Sequence, residues 1–135
     1  MSDDENFTLQ AAADHRLLLV TFGKILNDEI YMDAYRAIQR FMEQHGLHHA
    51  IIDFSAVEDF ALSLKMGRRI GTMNPAVPAD MQRIVVAPPG AIYGTAREVQ
   101  AWREYAVGKI RIVKSVDSGY ELLEIVDRPS FAPVE

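Results

Sequence analysis

Ala50-Ile51-Ile52-Asp53-Phe54-Ser55-Ala56-Val57-Glu58-Asp59-Phe60-Ala61-Leu62-Ser63 begins as a short apolar run, passes through a polar loop and ends on a residue suited to start a helix. Three consecutive apolar residues without alternation fit a strand covered on both faces, as in a parallel sheet. Ahead of it, Ile30, Ala34, Ile38 and Phe41 recur at helical spacing from Asp28 to His45, with Tyr31, Tyr35 and Met42 widening the stripe. Asn27 or Asp28 is placed to cap that helix and Gly46 to end it. Behind it, Ser63 caps a second helix that stops near Asn74-Pro75, because proline restricts the residue before it. A buried strand set between two helices makes the 50–63 stretch the joint of a βα unit.

The same pattern extends in both directions. Residues 83–87 read as another buried strand, and Pro88-Pro89-Gly90 breaks the chain before a third helix marked by Ile92, Ala96, Val99, Trp102 or Arg103, and Ala106. Ile110 and Ile112 flank Arg111 as a one-sided edge strand, and Leu122, Leu123, Ile125 and Val126 predict a short final helix before Pro129. Upstream, Phe7, Leu9 and Ala11 alternate with polar residues as an edge strand, Asp14-His15 turns the chain, and the run 17–22 returns as its antiparallel partner. The fold class is therefore α/β: a single domain with an N-terminal β-hairpin, then alternating βα units, a mixed sheet of about five strands and helices mainly on one face. It spans 1–135, with 1–5 expected to be disordered and 129–135 to form a tail. Right-handed crossovers stepping one way place the helices on one face. The strands nevertheless carry apolar residues on both sides, which predicts a cover for the other face, a second copy of the chain being the simplest.

The 53–63 segment resembles the STAS domain of bacterial anti-sigma-factor antagonists and sulfate-transporter tails, in which a strand ends in Asp-Leu-Ser and Asp-Ser-Ser-Gly follows at a helix start. Asp53-Phe54-Ser55 and Val57 match the first half, while Ala61, Leu62, Ser63 and Leu64 stand where the family has Asp-Ser-Ser-Gly. Tyr93-Gly94-Thr95-Ala96-Arg97 is similar to a segment of a divergent bacterial branch of STAS-like proteins. The resemblance implies a non-enzymatic, regulatory protein-binding module that meets a protein partner through this loop and the helix after it. Leu62 has no hydroxyl, so the family's phosphorylation switch has no acceptor at its usual position. Ser55 and Ser63 are the nearby hydroxyls; phosphate on Ser63 would meet a helix N-terminus, although a capping role is the simpler one. Asp53 reads first as a strand-end carboxylate accepting loop backbone bonds.

Lys65, Arg68 and Arg69 share a helical face beside this loop, and Arg97 starts the third helix at the same end of the sheet. With Asp53, Ser55, Asp59, Leu62, Ser63 and Tyr93 they form the candidate binding set for an acidic protein surface or a small anionic ligand. His45, His48 and His49 cluster, but successive strand residues point to opposite faces, so no metal site is expected. Met32, Met42, Met66, Met73 and Met81 read mainly as core filling; lining a pocket for a small apolar or lipid-like ligand is the alternative, which would make the chain a carrier or sensor resembling lipid-transfer CRAL-TRIO domains. No P-loop, nucleophile triad or cofactor fingerprint is present, so neither a cofactor nor an enzymatic activity is expected.

Composition bounds the remainder. With 135 residues, 49% hydrophobic and 24% charged, the chain is one domain's length with an ordinary globular balance. It has no cysteine, which removes disulfides and thiolate chemistry and fits a reducing compartment. A net charge of −5 argues against nucleic acid. The acidic first residues and the lack of a long apolar stretch predict a cytoplasmic protein with no membrane span.

Overall fold

The computed structural model describes residues 6–12, 16–45, 49–63, 65, 66, 69, 82–87, 90, 92–94, 96, 97, 111–126, 129 and 131–133. The expectations for residues 1–5, the Asp14-His15 turn, the Gly46 stop, Arg68, the Asn74-Pro75 helix end and the third helix beyond Arg97 lie outside these residues. In chain order the elements with full bounds are β1 (Phe7–Ala12), β2 (Leu17–Phe22), β3 (Ile25–Asn27), α1 (Asp28–His45), β4 (His49–Asp53), β5 (Asp59–Ala61), β6 (Gln82–Val86), β7 (Arg111–Val113), α2 (Val116–Leu122) and β8 (Ala132–Pro133). Residues 65, 66 and 69, and again 92–94, 96 and 97, are helical.

The main sheet has the order β7-β6-β4-β2-β1-β8. β2, β4, β6 and β7 are parallel, and β1 pairs antiparallel with β2 from Phe7 opposite Phe22 to Ala12 opposite Leu17. The strands that alternate with helices thus lie side by side in sequence order, the arrangement on which the one-face expectation rested. A separate parallel ribbon joins β3 to β5, with Leu26 opposite Phe60. Three-residue strands carry no periodic signal, which is why the sequence reading treats both as loop.

Strand alternation sends the apolar residues to two sides. On one, Leu18, Val20, Phe22, Ala50 and Ala87 pack with Ile30, Ala34, Ile38, Phe41 and Met42 of α1 and with Ile92. Met66 joins this side through Tyr31, Leu62, Val85 and Ile112. On the other, Ala12, Leu17, Ile51, Ile84 and Val86 are covered by Val116, Tyr120, Leu123, Ile125 and Phe131. Burying each Leu, Ile, Val or Phe side chain stabilises the fold by about 1.5–3 kcal/mol, so neither face is left open without loss.

The second face corrects three expectations. The chain's own C-terminal residues cover it, which removes the reason for placing a second copy there. The final helix lies at 116–122, earlier than Leu122 to Val126 suggest, because Ser115 caps it by accepting the Ser118 N–H at 3.1 Å. Its end is a paired-bond turn: Glu124 N–H donates to the Glu121 carbonyl, Ile125 N–H to the Tyr120 carbonyl, and Glu124 takes φ 59°. Of the apolar residues that suggest helix, Leu122 ends it, Leu123 and Ile125 pack from this turn onto the sheet, and Val126 is exposed. Finally, the expected tail carries Phe131 against the sheet and pairs Ala132 with Ala11, so β8 lies outside β1 and β1 is not the edge.

Gly119 explains how so short a helix reaches the sheet. A Cβ there would stand 3.2 Å from Ile51 Cδ1, tighter than ordinary contact, and 3.4 Å from Ile84 Cγ2. The absent side chain lets the α2 backbone rest on the strands.

Candidate functional site

The parallel strands β2, β4 and β6 end on one side of the domain, where an α/β sheet presents its loops. β4 leaves the sheet at Asp53, and Phe54 N–H still donates to the Val86 carbonyl at 2.9 Å. Alternation then turns the two neighbours to opposite sides. Phe54 enters the core and stacks on Phe22 at 4.9 Å between ring centroids, and Phe22 stacks in turn on Tyr31 at 6.4 Å. Asp53 is buried, and its Oδ1 accepts from the Ser55 N–H at 2.9 Å and from the Ser55 hydroxyl at 2.6 Å. This closes a local side-chain turn, the structural role expected of Asp53.

The loop is then pinned along its length. Val57 N–H donates to the Phe54 carbonyl, and Glu58 and Asp59 N–H both donate to the Lys24 carbonyl at 2.7 and 2.8 Å. The β3–β5 ribbon continues that contact. At the far end Asp28 accepts from the Ser63 N–H at 2.9 Å through Oδ1 and from the Ser63 hydroxyl at 2.7 Å through Oδ2. The same hydroxyl accepts from the Met66 N–H at 3.0 Å, so Ser63 caps the following helix as the sequence predicts. Asn27, and not Asp28, caps α1, taking the Ile30 N–H at 2.8 Å. That leaves the Asp28 carboxylate for a residue 35 positions away.

Between the clamps Ser55, Ala56, Glu58, Asp59, Ala61 and Ser63 are exposed, and so are Lys65, Arg69, Tyr93 and Arg97 on the helical stretches. Ile92 belongs to the same buried cluster as Phe54 and Ala87, which puts the 92–97 stretch on the side of the sheet that Phe54 enters. Leu62 is half-buried and packs against Met66. Nine of the ten residues singled out from the sequence thus lie on described segments around the same sheet end, and Arg68 falls outside them. His49 is half-buried at the opposite, N-terminal end of β4; among the described residues no three His, Cys, Asp or Glu side chains gather as metal ligands. No helix among them is long and apolar enough to cross a membrane.

Three participants escape the sequence reading: Asp28 as a clamp, the Lys24 carbonyl, and the Tyr31–Phe22–Phe54 stack. Two adjacent capping residues, Asn27 and Asp28, are the signal that one carboxylate serves elsewhere. The Lys24 carbonyl has no sequence signal, because every residue carries one. No family model, curated protein or solved structure matches the chain.

Proposed function

We propose that the chain is a STAS-like binding module, without a catalytic step and without the phosphorylatable serine of that family, which meets a protein partner through the 53–63 loop and the adjoining helical residues. One observation carries the reading: a serine–carboxylate clamp at each end fixes the loop, while Ala56, Glu58, Asp59 and Ala61 between them stay exposed. A surface ordered before contact loses little freedom on binding, which is what a recognition loop requires. The polar groups favour binding over catalysis, since the Asp53 and Asp28 carboxylates are occupied in holding backbone and hydroxyl groups of their own chain. The aromatic stack fills the space between sheet and α1 at this end, which favours a surface contact over an enclosed apolar ligand.

Site-specific photo-crosslinking in the source cells tests it. A crosslinker at exposed Ala56 should capture a defined protein that one at Thr8, exposed on β1, does not. Identical adducts from both positions, or none from Ala56, would overturn the proposal.

A further inference from the structure

The two ends of the main sheet are finished differently. At one, β7 has three residues and bears exposed Arg111, with exposed Lys114 just beyond it. Short, charged edges resist the addition of another strand. At the other, β1 runs six residues from Phe7 to Ala12 without a charge or a proline. Its outer cover among the described residues is β8, whose Ala132 and Pro133 are both exposed.

Backbone alternation shows what β8 holds. Gly23 N–H donates to the Asn6 carbonyl at 2.8 Å, and the β1–β2 register carries that bonded set through Thr8 and Gln10 to Ala12. Phe7, Leu9 and Ala11 therefore turn their N–H and C=O groups to the outer edge. Ala11 stands opposite Ala132 there, and Pro133 falls opposite Gln10, where its missing N–H costs the ladder nothing. Phe131, half-buried against the α2 side of the sheet, anchors the strand. The α2 cap and closing turn are bonded within residues 115–125, so they survive its release. A two-residue strand with one half-buried anchor opens at lower free energy than the core strands.

The uncovered β1 is complementary to itself. Phe7, Leu9 and Ala11 share the α1 side of the sheet. Two copies of β1 set antiparallel about Leu9 bring Leu9 against Leu9 and Phe7 against Ala11 on that side, and Thr8 against Gln10 on the other. Large meets small, polar meets polar, and no like charges are opposed. This register also uses the outward N–H and C=O groups of all three residues.

We infer that Phe131–Pro133 is a releasable guard strand, and that the β1 edge it uncovers pairs antiparallel with β1 of a second copy of the chain. The inference does not depend on the binding-module reading.

Amide exchange on the full chain reads the release. The Ala11 amide should exchange at least about tenfold faster than that of Gln10 and keep its rate in dilute urea, as a local opening does. The chain has no cysteine, so Ala11→Cys with Ala132→Cys can form one bridge alone. Oxidation should slow residue 11 to the rate of residue 10, and reduction should restore it.

Sedimentation reads the pairing. A guard in the same chain outcompetes a second copy at low concentration, so the native chain and the oxidised bridge should stay monomeric at about 100 μM. Phe131→Ala, and separately Ala132→Pro, which removes the N–H facing Ala11, should dimerise there with slowed exchange at residues 7, 9 and 11. Within Phe131→Ala, adding Thr8→Lys and Gln10→Lys should weaken the dimer about tenfold, and Thr8→Lys with Gln10→Glu should strengthen it.

Residue 11 exchanging as slowly as residue 10 in the native chain would overturn the guard. So would loss of core amide dispersion in both loosened variants, which would make the segment part of the cooperative fold. Folded variants that stay monomeric, a dimer that leaves residues 7, 9 and 11 unprotected, or one indifferent to the charge pairs would overturn the second copy.

Discussion

Asp28 holds Ser63 by both its backbone N–H and its hydroxyl, at 2.9 and 2.7 Å, and so ties the first residue of α1 to the cap of the next helix. Ser63→Ala should destabilise the protein by about 1–2 kcal/mol, the range for a lost cap, and Asp28→Ala, whose two bonds are exposed, by about 0.5–1.5 kcal/mol. Urea denaturation of both and of the double variant checks this. Because the two act on one another, the double variant should lose clearly less than the sum.

Ser63→Asp separates capping from clamping. Aspartate caps helices as well as serine, so the cap alone predicts no loss. Here the new carboxylate would lie against Asp28, and the variant should unfold at lower urea than Ser63→Ala. Adding Asp28→Asn should restore stability, and failure of that rescue would count against charge repulsion as the cause.

At the other end of the loop, Asp53→Asn keeps an oxygen able to accept from Ser55, whereas Asp53→Ala removes it. The first should cost less than about 1 kcal/mol and the second about 1–3 kcal/mol, the penalty of leaving donors unmet. Hydrogen exchange at the Ser55 amide, fast in Asp53→Ala and slow in Asp53→Asn, locates the effect.

Gly119→Val should destabilise by about 2 kcal/mol or more, because its branches enter space already held by Ile51 and Ile84. Gly119→Ala sets a gain in helix propensity of about 1 kcal/mol against a single tight contact at Ile51 Cδ1. Ile51→Val removes that atom, so the Gly119→Ala, Ile51→Val pair should be more stable than the sum of its parts. Thermal unfolding of the four proteins reads the coupling.

Glu124 stands in the left-handed region at φ 59°, where a side chain costs about 1–2 kcal/mol that glycine escapes. Part of that gain is offset by the greater freedom of glycine in the unfolded chain. Glu124→Gly should therefore stabilise by about 0.5–1 kcal/mol, seen as a rise in urea midpoint with unchanged slope.

The architecture was legible wherever periodicity was strong. Residues 17–22 and 28–45 have the predicted bounds, and helices alternating with buried runs announced the parallel strands. What stayed hidden was short or non-local. β3, β5 and β8 are too brief to show a period, and Ser63 meets a carboxylate 35 residues earlier, a distance that no local pattern encodes. Asp53 and the Ser63 cap were readable because each acts within three residues. The open face was misjudged for a related reason: α2 approaches through a glycine, and Gly119 among Ser118 and Tyr120 has no apolar stripe to announce it.

The placement of Phe131 also orders events during synthesis. Leu17, Ile51 and Ile84 emerge long before the segment that seals them, so the growing chain carries a bare apolar strip until Val116 to Phe131 have been made. Interrupted products ending before Val116 should therefore be sticky intermediates that chaperones hold, even though every parallel strand is already complete.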